Sequence, residues 1–227
     1  NLGWEKVPLS DMLKKSFNTD VKISNHGNVA ALGEVIDGCA KEYDTCVMST
    51  LGTGVGGGIV ANGELLEGNQ SAGAEIGHSV IVANGEQCTC GRKGCFEAYS
   101  SATALIRDTK RAMQAHKDSK MWKTYTLETV NGKTAFDYQD TDPYAKAVVE
   151  NYIELLAAGL TNIANIFRPN VILIGGGVCA QGDNLVKPLQ KLLDRDLFAG
   201  EKGPQVPIRV AELGNSAGIL GAVALLL

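Results

Sequence analysis

The stretch GHSVIVANGEQCTCGRKGC, residues 77–95, gathers one histidine and half of the chain's 6 cysteines. Zinc takes four tetrahedral ligands, commonly thiolate sulfur and imidazole nitrogen, and a structural site fills all four positions with protein atoms. His78, Cys88, Cys90 and Cys95 supply that number and that chemistry. Glycines at 91 and 94 in the C-x-C-x-x-x-x-C spacing allow the tight fold that three converging sulfurs need. The alternative is a set of free thiols, which have no reason to cluster around a glycine turn. Cys39, Cys46 and Cys179 stand in apolar runs and read as small core residues. A bound ion would also explain how a loop with so little apolar content stays ordered.

Two carboxylates flank this cluster. Glu75 precedes His78 by three positions, on one face if AGAEIGH is helical, and Glu97 follows Cys95 by two. Acceptors held on a rigid node suit a polyhydroxylated ligand, because each sugar hydroxyl donates one hydrogen bond. Spacing alone leaves solvated surface glutamates as the other reading, and Glu86, in NGE, is expected at the surface. LGTGVGGG, residues 51–58, lies between two β-type runs, where bare backbone N–H groups can face a phosphate and Thr53 can add a hydroxyl. Such a run can equally serve only to bend a sheet. LIGGGV, residues 173–178, is a second glycine turn at the carboxyl end of a strand, where α/β sheets bind ligands. Neither stretch fits the Walker or Rossmann pattern.

The elements that must carry these residues follow from periodicity. VKIS, 21–24, reads as a short strand ending at Asn25, and the helical spacing of 28–43 as a helix. Residues 45–68 read as paired antiparallel strands with a tight turn at Asn62-Gly63. Ser71 could cap a short helix, and another helix is expected from about Phe96 to Ala115. Residues 116–141 read as a polar insertion. Asp142-Pro143 caps a long helix that ends at Arg168-Pro169. A buried strand in NVILIGGGV, a helix over about 184–196, a strand in PIRVAEL and a core helix in AGILGAVALLL complete an α/β domain with a mixed sheet.

With 227 residues and 44% hydrophobic content the chain can bury a large core, as one domain or two. Its net charge of -4 and lack of a Lys/Arg run argue against nucleic acid as a partner. The C-terminal apolar run is shorter than the roughly 20 residues of a membrane span, so no membrane partner is expected. No signal peptide is visible, which makes a cytoplasmic location the expectation. Asn1 in place of an initiator methionine points to a chain that begins inside a longer protein.

Five stretches, SNHGNVAALGE, LGTGVGGGIV, GAEIGH, CTCGRKGCFE and ILIGGGV, resemble the ROK family of bacterial glucokinases, related sugar kinases and sugar-responsive repressors. The resemblance covers nearly the whole chain. It implies an actin-like (ribonuclease H-like) ATPase fold of two domains, with a hexose in the cleft and ATP with Mg on the glycine turns. By position it assigns zinc to His78, Cys88, Cys90 and Cys95, and hexose hydroxyls to Asn25, Glu75, His78 and Glu97. Phosphate contacts fall to Gly52, Thr53 and Gly54, and the adenosine side to Gly175, Gly176 and Gly177. His78 would then serve metal and sugar together. A homodimer is the family expectation.

Two departures stand out. The family pattern at 25–28 is Asn-Asp-x-Asn, whose aspartate takes the proton of the attacking hydroxyl, and here that position is His26. Imidazole has a suitable unperturbed pKa of about 6.5, but a ring replaces an anion in reach and in field. The expectation is slow phosphorylation relative to a His26→Asp variant. The family's D-x-G-G-T turn has no counterpart either, so residues 1–44 read as the tail of a first domain and 45–227 as most of a second. Such a piece is expected to bind zinc, to bind sugar weakly and not to catalyse. The competing classes are a sugar-sensing repressor module and a purely structural zinc module.

Overall fold

The computed structural model describes residues 7–226. In chain order the elements are α1 (Leu9–Phe17), α2 (His26–Asp37), β1 (Cys46–Leu51), β2 (Val55–Ala61), β3 (Glu64–Leu65), α3 (Glu97–Ser100) and α4 (Ala102–Ala115). They continue with α5 (Thr134–Tyr138), α6 (Pro143–Phe167), β4 (Val171–Gly175), α7 (Asp183–Asp196), β5 (Ile208–Val210) and α8 (Ser216–Ala224).

The sheet runs β3-β2-β1-β4-β5. β1 pairs antiparallel with β2 and parallel with β4, and β4 pairs parallel with β5, so the sheet is mixed as expected. Asn62 and Gly63 turn β2 into β3 with φ of 54 and 79, the left-handed pair such a hairpin requires. Successive strand residues face opposite sides. Val47, Leu51, Ile172 and Ile174 pack with Leu156, Leu160 and Leu189 of α6 and α7, while Met48, Val60, Val171 and Leu173 meet Ala30, Ala31 and Ala217 of α2 and α8. Cys46 and Cys179 are buried core residues, and burial pushes both thiols up to about 12.

α2 begins at His26 because the Asn25 Oδ1 accepts the Gly27 amide at 2.8 Å, and it stops at Asp37 rather than continuing to 43. Beyond it the chain turns back onto buried Glu34, whose Oε2 accepts from the Cys39 amide at 3.1 Å and whose Oε1 accepts from the Leu213 amide at 2.8 Å. The helix lies directly on β2: a Cβ at Gly58 would stand 2.3 Å from the Gly27 carbonyl oxygen. Gly56, Gly57 and Gly58 are therefore strand residues, of which Gly58 admits α2 and Gly57 the Ala74–Ile76 segment, and the turn in LGTGVGGG is confined to Gly52-Thr53-Gly54.

α6 runs as expected from the Asp142 cap to a left-handed Arg168. At its middle Gly159 leaves room for the fully buried ring of Phe96, which a Cβ would meet at 2.2 Å.

Several expectations fail for identifiable reasons. VKIS is not a strand, since a β-prone run needs a neighbour to pair with and among the described residues none lies beside it. The helix expected over 96–115 is broken at Ser101, which is extended and caps α4 through its hydroxyl to the Ala104 amide. Ser71 has φ 56 and caps nothing, and only Ile76–His78 of AGAEIGH coils, as a single 3₁₀ turn. The 116–141 insertion contains a 3₁₀ turn, Lys120–Lys123, and α5. α8 is no core helix: Ile219 is 71% exposed, and only its α2-facing side is buried.

Candidate functional site

The strands bring both glycine turns to one edge of the sheet. β1 and β4 are parallel with Thr50 opposite Gly175, so Gly52-Thr53-Gly54 and Gly175-Gly176-Gly177 leave the sheet side by side. Both turns line a cleft of about 830 Å³. Glu75, His78 and Glu97 line the same cleft, and His26 enters it from the first turn of α2.

The loop between His78 and Glu97 is folded around sulfur. Gly91 and Gly94 have φ of 90 and 83, the left-handed conformation expected of them. The Ile81 amide donates to the Gly94 carbonyl at 2.9 Å and the Gly94 amide to the Glu86 carbonyl at 2.8 Å. One ligand atom each from His78, Cys88, Cys90 and Cys95 lies within 4.8 Å of all the others. Cys90 and Cys95 Sγ are 3.7 Å apart, and Cys88 Sγ is 3.7 Å from His78 Nδ1. Sulfurs about 2.3 Å from a tetrahedral zinc stand about 3.8 Å apart, so the cluster fits such an ion. Burial, then hydrogen bonds with Cys90 and Cys88, pushes the Cys95 thiol up to about 12. Binding a divalent cation there requires the thiolate, and the cation compensates its charge.

Polar clamps fasten the loop to α3 and α4. Glu86, expected as a merely solvated residue, pairs with Arg111 at 2.5 Å and Arg107 at 3.8 Å, and its amide donates to the Tyr99 hydroxyl at 2.6 Å. The Arg111 guanidinium holds the Glu86 carboxyl below the usual carboxylate range.

The two acidic residues are held differently. Glu97 opens α3, with Oε2 accepting from the Val55 amide at 3.0 Å and Oε1 from the Thr89 hydroxyl at 3.1 Å. Its carboxylate rests on Gly54, where a Cβ would stand 2.0 Å from Oε2. Glu75 Oε1 accepts from Asn25 Nδ2 at 3.1 Å, so Asn25 caps α2 with one end of its amide and steadies Glu75 with the other. Asn25 itself does not line the cleft. The remaining cleft wall was not singled out from sequence: Ala211, Gly214 and Asn215 follow β5, and Gly218 of α8 abuts the His26 ring. The carboxyl end of β5, a third parallel strand, was the signal that could have found them.

The fold that carries this cleft has counterparts among solved structures. A ROK family glucokinase from Streptomyces griseus, in complex with glucose and AMPPNP, matches with TM-score 0.86 and 33% identity over 99% of this chain and 74% of that one. The architecture is thus the actin-like ATPase fold of the ROK sugar kinases.

The chain belongs to the ROK family, whose signature spans residues 1–227. The glucokinase of Halalkalibacterium halodurans is 39% identical over 97% of this chain and 68% of that protein. A putative xylose repressor of a Caldicellulosiruptor species is 28% identical over 100% of this chain and 57% of its own length. Among the described residues no helix is long and apolar enough to cross a membrane.

Proposed function

We propose that this chain carries the cleft of an ATP-dependent hexose kinase, with glucose as the first substrate to test. The observation that carries it is the convergence of both glycine turns and the Glu75–His78–Glu97 wall on one cleft. Identity of 39% to a glucokinase supports the reading. In it, Glu75 and Glu97 accept hexose hydroxyls, the Nε2–H of zinc-bound His78 donates to one, and Asn25 steadies Glu75. Amides of Gly52, Thr53 and Gly54 face the phosphates of Mg-bound ATP, and Gly175–Gly177 border the adenosine. A sugar hydroxyl oxygen attacks the γ-phosphorus, ADP leaves, and the hydroxyl proton passes to His26. Zinc on His78, Cys88, Cys90 and Cys95 supplies rigidity and leaves the phosphoryl group untouched. α2 packs with the 45–227 lobe rather than apart from it, and the protein acts as a cytoplasmic homodimer without nucleic-acid or membrane partners.

Replacement of the family's aspartate by His26 favours a second reading, a sugar-sensing module like that of the repressors. Calorimetric titration with a hexose panel, with and without chelator, tests the binding that both readings share. Coupled phosphorylation assays on the full-length protein and its His26→Asp variant separate them. The kinase reading expects detectable turnover that rises about 100-fold in the variant. Equal turnover removes His26 from the role of base. Tight sugar binding with no phosphorylation by either protein favours the sensing module.

A further inference from the structure

We propose that Thr89, between two of the metal-binding cysteines, is a positioning residue that aims Glu97 at the hexose. The inference rests on the sugar-binding reading above and adds to it a residue of CTCGRKGCFE to which the resemblance assigns no ligand.

Thr89 occupies the single position between Cys88 and Cys90, where the loop backbone is fixed by the Cys88 amide on the Arg92 carbonyl at 2.9 Å and the Gly91 amide on the Cys88 carbonyl at 3.1 Å. Its side chain is exposed, and its hydroxyl donates to Glu97 Oε1 at 3.1 Å. The other carboxylate oxygen takes the Val55 amide, and Gly54 forms the floor beneath it. The carboxylate is therefore gripped from both ends, once by the glycine hairpin and once by the metal loop. Each oxygen has room for two hydrogen bonds, so beside the Val55 amide on one and the Thr89 hydroxyl on the other each keeps one acceptor direction for a sugar hydroxyl.

Cys88 Sγ also approaches Oε1, at 3.6 Å, and as a thiol it can donate there. A cysteine that ligates a metal does so as thiolate and has no proton to donate. It then presents negative charge to a carboxylate. In the metal-loaded loop Thr89 is left as the donor that holds Oε1, and its proton offsets that repulsion. Without it Glu97 keeps one anchor and can rotate away from Cys88.

The experiment uses the zinc-loaded chain and its Thr89→Val and Thr89→Ser variants, reading zinc content by mass spectrometry, thermal stability, and glucose affinity by calorimetry. Thr89→Val keeps the shape and removes the donor; Thr89→Ser keeps the donor. We expect one zinc per chain in all three, little change in melting temperature, a glucose Kd about tenfold higher in Thr89→Val, and recovery to within about twofold in Thr89→Ser. Thr89→Val binding glucose as the parent does overturns the proposal and leaves the sugar-binding reading standing. Loss of zinc from Thr89→Val also overturns it, by making Thr89 a structural part of the loop. A zinc-loaded parent that binds no hexose in a panel overturns the sugar-binding reading itself and the proposal with it.

Discussion

The loop over 79–95 and the insertion over 116–141 are both polar connections with little regular structure, yet they are ordered by opposite means. The insertion builds a core of its own. Met121 and Val130 are buried with Met113 of α4 and Ala145 of α6, and Trp122 Nε1 donates to the Met113 carbonyl at 3.0 Å. Buried Asp142 ties it down, accepting from the Ser119 hydroxyl and the Lys120 amide at 2.6 Å each while capping α6. The cysteine loop buries little: Cys88 and Cys95 with Ala98, and half-buried Ile81 against the main core. The residues that flank the loop, His78 and Glu97, line the cleft, and Glu86 within the loop pairs with Arg107 and Arg111. With so little to bury, this loop has in its place four side chains, His78, Cys88, Cys90 and Cys95, grouped closely enough to hold an ion.

The comparison can be broken most severely by removing metal. Chelation is expected to abolish hexose binding and hydrogen-exchange protection over 79–95 while protection in 116–141 persists; equal loss in both regions would erase the distinction. Phe96 sharpens it, since its fully buried ring follows the cysteine loop directly and seats in the main core against Gly159. Phe96→Ala should cost about 3–5 kcal/mol in denaturant unfolding and weaken zinc retention as well.

Asp142→Ala should cost about 2–3 kcal/mol, through the lost cap and the orphaned Ser119 and Lys120 donors, with zinc content unchanged. Burial raises the Asp142 carboxyl, but the hydrogen bonds from Ser119 and the Tyr144, Ala145 and Lys120 amides outweigh it and leave it lowered. Its stabilisation is therefore present above the unfolded carboxylate pKa of about 3.9 and lost as pH falls through the lower folded value. Unfolding titrations between neutral and acidic pH should show that dependence in the parent and not in Asp142→Ala.

The sequence was most legible where side-chain chemistry is local. Ligand type and the glycines at 91 and 94 identify the cysteine cluster, and Asp142-Pro143 marks the start of α6, because neither needs knowledge of what packs nearby. It was least legible where tertiary contact decides. The approach of α2 to Gly58 turns half of a presumed phosphate turn into a packing surface. VKIS has the composition of a strand without a partner. The break at Ser101 was readable as a cap, but continuous helical periodicity concealed it. Apolar composition alone made α8 look enclosed, although only the side against α2 is.

Glu34 has a mechanical consequence. Because one carboxylate braces α2, the turn at Cys39 and the segment at Leu213, the helix bearing His26 and the β5–α8 wall form a single strut. A displacement of α2 is then passed on to the β5–α8 wall, so the His26 side and the Asn215 side of the cleft move as one.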